Sequence, residues 1–135
     1  MSRIDDKIEE IETLLEELES ILPADIEEYL SDFKSKAAGE RYFERIIEAI
    51  VDLAFLIIKD KKLKIPEEDK QVFDILCEEK IISKDLVDRL KEAKGMRNVI
   101  AHEYGTIDDS LVFHSLTEEL IKDAQEFIKQ ISKIN

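Results

Sequence analysis

The stretch RYFERIIEAIVDLAFLIIK, Arg41 to Lys59, decides the fold. Tyr42, Phe43, Ile46, Ile47, Ala49, Ile50, Leu53, Ala54 and Ile57 recur in it at helical spacing. They cover more than one face of a helix. A surface helix needs only one apolar stripe, so this segment reads as a central helix packed on two sides. Asp52 interrupts the run, and the apolar part is too short to span a bilayer.

Outward from that core, every other segment also has helical period. Ile4, Ile8, Ile11, Leu14, Leu15, Leu18, Ile21 and Leu22 form one stripe, which predicts a first helix over Ser2 to Leu22, closed by Pro23. The central helix belongs to a region from Asp25 to Lys59. Gly39 is expected to break or bend it, because glycine costs about 1 kcal/mol in a helix interior. Lys59 to Ile65 reads as a basic loop. A short third helix is expected from Pro66 to near Glu79, with Pro66 in its first position. Ser83 is the expected N-cap of a fourth helix with an inward stripe of Leu86, Leu90, Ala93, Met96, Val99 and Ile100. Gly105 would end it near His102 or Tyr104. A last helix is expected from Asp109 or Ser110 to Ser132. The fold class is therefore all-α, an up-and-down bundle of four main helices plus one short helix, in a single domain over residues 1–135.

Composition narrows the function. The chain has a formal net charge of -13. Phosphate attraction dominates nonspecific nucleic-acid affinity, so any role on RNA must rest on a local basic patch. One lies between Lys84 and Arg97, where five cations (Lys84, Arg89, Lys91, Lys94, Arg97) face three anions (Asp85, Asp88, Glu92). The loop lysines Lys59, Lys61, Lys62 and Lys64 are a second candidate, and Arg41 with Arg45 a third. The lone cysteine, Cys77, cannot form an internal disulfide, which points to a reducing, cytoplasmic setting. No apolar signal core or membrane anchor is seen in the sequence, so a membrane role is not expected. Cys77 itself reads as a small buried apolar residue, and His114 as structural or exposed.

The chemistry concentrates in GMRNVIAHEYGTID, Gly95 to Asp108. Arg97, Asn98, His102 and Tyr104 fall within eight residues there. Asn98 and His102 are four apart and share a helix face, so the amide could orient the imidazole. Arg97 and His102 are five apart and diverge by about 140° on a regular helix. They would meet through a frayed helix end, or across a twofold axis between two copies. An arginine fork binds phosphate and offsets developing charge, and a histidine moves protons near neutral pH. RNA brings its own nucleophile, the 2′-hydroxyl. The segment contains no zinc-binding histidine pattern, and neither a metal nor another cofactor is expected.

Arg-Asn-x-x-x-His on a late helix of a small bundle resembles the HEPN superfamily, and the extension His102-Glu103-Tyr104 resembles its HepT-type toxins. The resemblance implies a homodimeric, metal-independent endoribonuclease acting on RNA rather than DNA. Arg97 and His102 would be catalytic, and Asn98 would support them. It also implies an MNT-type nucleotidyltransferase antitoxin as partner, which silences the toxin by placing AMP on the tyrosine, here Tyr104. The alternative is a non-catalytic HEPN subunit that docks a nucleotidyltransferase or a nucleotide.

Two acids on the central helix complete the candidates. Asp52 is a possible supporting acid that contacts Arg97 or the motif of a partner chain, and Glu48, one turn earlier on the same face, shares that reading. Tyr42 and Phe43 read as core.

Overall fold

The computed structural model describes residues 2–102 and 107–133, and the described residues are helical with short connections. Helix α1 (Arg3–Ile21) starts at Ser2, whose Oγ accepts the Asp5 N–H at 3.0 Å. Ile11, Leu14, Leu15 and Leu18 are its buried stripe, and they lie along α3.

The expected break at Gly39 is found at Asp32 instead. Helix α2 (Ile26–Ser31) ends there, and α3 (Phe33–Asp60) begins one residue later. Asp32 is extended and caps α3: Oδ1 accepts the Lys34 N–H at 3.0 Å and Oδ2 the Ser35 hydroxyl at 2.8 Å. A short carboxylate that satisfies the free N–H groups of a new helix outweighs a glycine as a break point. Gly39 lies buried inside α3. A Cβ there would stand 2.9 Å from Leu116 Cδ1 and 3.2 Å from Tyr29 Oη, so the missing side chain is the space into which those two residues pack.

Helix α3 is central, as its two-sided apolar pattern requires. It touches α1, α2, α4, α5 and α6. Its far end closes with Leu63 N–H on the Ile58 carbonyl at 2.9 Å and Lys62 at φ 56°. Helix α4 (Val72–Glu78) closes in the same way, with Ile81 N–H on Leu76 O at 2.8 Å and Lys80 at φ 61°. Lysine thus occupies two left-handed positions where glycine is usual.

The third helix does not start at Pro66. Glu68 is extended (φ -131°, ψ 150°), and a 3-10 turn, Asp69–Gln71, precedes α4. Gln71 Oε1 holds the turn by accepting the Glu67 and Glu68 N–H groups at 3.0 and 3.4 Å.

Helix α5 (Lys84–His102) carries the polar motif. Ser83 caps it as expected, with Oγ accepting the Leu86 N–H at 3.2 Å. The Ser83 N–H donates to Gln130 Oε1 at 2.7 Å and so pins the start of α5 to α7. Leu86, Val87, Leu90 and Ile100 are buried, whereas Val99, expected inward, is 43% exposed. The last rod is α6 (Asp109–His114), a π-helical stretch Ser115–Leu120, and α7 (Ile121–Ser132), without interruption.

The long helices close a ring, α1 against α3, α3 against α5, α5 against α7, and α7 against α1. The fold is the expected all-α bundle, with two short helices, α2 and α4, where one was expected. Phe73 meets Phe127 edge-on at 6.2 Å and ties α4 to α7, and Tyr29 packs on Phe113 at 4.9 Å and ties α2 to α6. Among the described residues no helix is long and apolar enough to cross a membrane.

Candidate active site on helix α5

The outer half of α5 is poor in buried apolar residues, so its polar side chains are available for chemistry. Arg97 reaches across to α3. One terminal nitrogen donates to Glu48 Oε1 at 2.8 Å, and the other to Asn98 Oδ1 at 3.2 Å. The Arg97 side chain is 27% exposed, and its Nε is buried with no hydrogen-bond partner among the described residues. The guanidinium is thus gripped from two sides and still opens on solvent. It forms one wall of a recess of about 100 Å³ between α3 and α5, shared with Glu48, Asp52, Asp69 and Lys94.

The acid on Arg97 is therefore Glu48. Asp52 lines the same recess, but its carboxylate pairs with Lys7 at 3.7 Å and is 61% exposed. One helical turn separates the two acids, and the crossing of α3 and α5 brings the earlier one to the guanidinium.

His102 is the last residue of α5 and is exposed. Since α5 is regular up to that point, His102 shares the face of Asn98, and Arg97 points about 140° away. One chain thus brings Arg97 to Asn98 and Glu48, with the imidazole one turn beyond Asn98. Tyr104 lies outside the described residues.

The other sequence candidates are dispersed. Lys59, Lys61, Lys62 and Lys64 are exposed beyond Glu48 at the far end of α3, and Lys59 is about 16 Å from it along the helix axis. Arg41 and Arg45 are exposed on α3, and Arg41 pairs with Glu44 at 3.8 Å. Tyr42 is only half-buried and donates to Glu17 Oε1 at 3.1 Å, while Phe43 is core. Cys77 is half-buried.

Sequence reasoning missed a second polar contact on α5. Arg89 Nε donates to Asp123 Oδ1 at 2.8 Å, and Arg89 also pairs with Asp85. Burial pushes the Asp123 carboxyl up, against the pull of Arg89. The pair lines a cavity of about 410 Å³ with His114 and Glu119, next to the π-helical stretch. Arg and Asp 34 positions apart have no local pattern that would announce them.

Known proteins resemble this chain in sequence and fold. The family model described as "Ribonuclease HepT-like" matches residues 11–131. The mRNA nuclease HepT of Shewanella oneidensis is 27% identical over 125 residues, 93% of this chain and 92% of that protein. A putative RNase of Archaeoglobus fulgidus is 30% identical over 110 residues, 80% of this chain and 83% of that protein. Among solved structures, the tri-AMPylated HEPN toxin of Shewanella oneidensis in complex with MNT antitoxin superposes with a TM-score of 0.90. It is 27% identical, and the match covers 98% of this chain and 99% of that chain.

Proposed function

Since the chain belongs to the HepT-like ribonuclease family, we propose that it is the RNA-cleaving toxin of a toxin–antitoxin pair, acting from a single helical domain without a metal. The observation that carries the mechanism is the Arg97 guanidinium, held by Glu48 and Asn98 at the mouth of a recess. A guanidinium fixed in that way is preorganised for a phosphate.

His102 takes the proton of the RNA 2′-hydroxyl. The 2′-oxygen attacks phosphorus, and charge builds on the equatorial oxygens, where Arg97 offsets it. The P–O5′ bond breaks, and the leaving oxygen takes a proton from an imidazolium. The products are a 2′,3′-cyclic phosphate and a 5′-hydroxyl. DNA lacks the nucleophile and is no substrate by this route. Within one helix Arg97 and His102 diverge, so we assign the working site to a homodimer in which two α5 motifs face each other. Glu48 positions Arg97, and Asp52 is an outlying acid of the same recess.

The homologous toxin bears AMP and sits in a complex with an MNT antitoxin. By that likeness, an MNT-type nucleotidyltransferase is the partner here, and Tyr104 is the acceptor of AMP. The negative charge added by AMP would repel RNA phosphate. The lone thiol of Cys77 fits a cytoplasmic setting.

The test is RNA cleavage in EDTA by the wild type, Arg97→Ala and His102→Ala, with end-group analysis of the products. Equal cleavage by all three would remove both residues from the mechanism. The net charge of -13 favours one other reading, a non-catalytic subunit that docks the nucleotidyltransferase. Its signature is Tyr104 labelling by the transferase and ATP with no RNA cleavage by the unlabelled chain.

A further inference from the structure

A larger opening adjoins the Arg97 recess. It measures about 510 Å³ and lies between α5 and the 3-10 turn ahead of α4. Lys91, Lys94, Gly95 and Asn98 of α5 form one side. Lys70 faces them, together with Glu68 and Asp69. Lys94 and Asp69 also line the Arg97 recess, so the two openings share a wall.

Three observations give this groove a ligand. The first is charge. Three lysines meet two carboxylates there, in a chain whose net charge is -13. Lys91 pairs with Asp74 at 2.7 Å and Lys70 with Glu68 at 3.6 Å, whereas Lys94 forms no ion pair among the described residues.

The second is Gly95. It lies inside α5, where glycine is unfavourable relative to alanine. No heavy atom lies within 4 Å of a Cβ built there, so packing within the described residues does not require a glycine. What glycine leaves is a bare stretch of helix on which a ligand's backbone can lie close.

The third is alignment. Lys91, Gly95, Asn98 and His102 follow one another at intervals of four, three and four residues, the repeat of a single helix face. The floor of the groove therefore leads toward the imidazole, which is about 6 Å beyond Asn98 along the axis.

We propose that this groove binds the sugar–phosphate backbone of single-stranded RNA on one side of the cleaved bond. Lys94 is the main phosphate contact, Gly95 the floor, and Asn98 the amide that meets the last ribose or base before the reacting phosphate. From Lys91 to Asn98 the helix rises about 10 Å, the length of roughly three stacked nucleotides. This assignment rests on the ribonuclease reading above, but its test separates the two.

The experiment compares the full-length wild type, Lys94→Ala, Lys94→Arg, Gly95→Leu and the distant control Lys133→Ala. Each is given a long single-stranded RNA and a dinucleotide with one cleavable bond, and RNA binding is measured by fluorescence anisotropy over a range of salt. For Lys94→Ala and Gly95→Leu the loss in kcat/KM on the long RNA should exceed that on the dinucleotide by about tenfold and lie in KM. Lys94→Ala should flatten the logarithmic salt slope of binding by about 0.7, the value for one phosphate contact on a single strand. Lys94→Arg should restore it, and Lys133→Ala should change nothing. Circular dichroism checks that Gly95→Leu keeps its helix content. Wild-type binding and salt slope in both Lys94→Ala and Gly95→Leu would overturn the proposal. So would a Gly95→Leu chain that changes its association state in sedimentation but binds RNA as before, because the groove would then be a protein interface. A wild type that cleaves neither substrate defeats the ribonuclease reading alone, and the anisotropy comparison still decides the groove.

Discussion

The Arg97 guanidinium donates to the Glu48 carboxylate at 2.8 Å, and this contact ties the polar end of α5 to the middle of α3. A carboxylate in that place aims the guanidinium and also competes with any phosphate for it.

Removing Glu48 should separate the two effects. Arg97→Ala is expected to lower kcat/KM by about 10²–10³-fold, the scale of losing one preorganised donor to a transition-state oxyanion. Glu48→Ala is expected to lower kcat by about tenfold while RNA binds more tightly, because the freed guanidinium is misaimed but unopposed. Glu48→Gln, which keeps an acceptor, should recover most of kcat. Single-turnover cleavage across RNA concentrations reads both quantities. Unchanged kcat in Glu48→Ala would show that the contact has no positioning role.

The two described glycines should respond with opposite signs. Gly39→Ala forces a methyl against Leu116 and Tyr29, so it should destabilise the fold by about 1–3 kcal/mol even after the gain in helix propensity. Gly95→Ala meets open space and should stabilise by up to about 1 kcal/mol. Urea denaturation of the two variants against the wild type checks both.

Asp32 makes one part of the stability depend on acid. The hydrogen bond from the Ser35 hydroxyl, and then that from the Lys34 N–H, hold its carboxyl below the usual range. A carboxylate whose folded pKa is lowered contributes fully above its unfolded value of about 3.9, and that contribution is lost as pH falls through the folded value. Asp32→Asn keeps an acceptor oxygen but does not titrate. The stability gap between wild type and Asp32→Asn should therefore close as pH drops from about 6 to about 2. A gap that stays constant in denaturation curves across that range would show that the cap does not depend on charge.

Ser83 supports α5 at its start. Ser83→Ala removes the acceptor of the Leu86 N–H and should cost about 1 kcal/mol, a fall in Tm of roughly 4 °C. Ser83→Asp, which restores an N-cap oxygen, should recover most of it in the same thermal scan.

What could be read ahead of the coordinates followed local rules. Ser83 caps the helix it precedes, and the two-sided pattern of Tyr42 to Ile57 gives the central helix. The misreadings arose where tertiary packing competes with local preference. Gly39 suggested a break but is a contact between α3, Tyr29 and Leu116, while the cap that does break the region, Asp32, looked like one more acid in an acidic stretch. Pro66 suggested a helix start, and the extended Glu68 delays it to Val72. Lys62 and Lys80 end helices in a backbone conformation that sequence associates with glycine.

At the site, Arg97, Asn98 and His102 were visible as a motif because they are neighbours in sequence. Choosing between Glu48 and Asp52 required the crossing of α3 and α5, which periodicity cannot supply. The groove beside Gly95 depends on the 3-10 turn at Asp69, an element with no sequence signal of its own.

The π-helical stretch between α6 and α7 has a mechanical consequence. A wide turn inserts extra chain without ending the rod, so it acts as a phase shifter. Upstream, Val112 and Phe113 are aimed at the bundle, and downstream so are Phe127 and Ile131. If the same residues of Ser115–Leu120 wound at ordinary α-helical pitch, the downstream anchors would swing by about 100° around the axis. Gln130 would swing with them, and α5 would lose the latch at Ser83 that keeps its first turn in register.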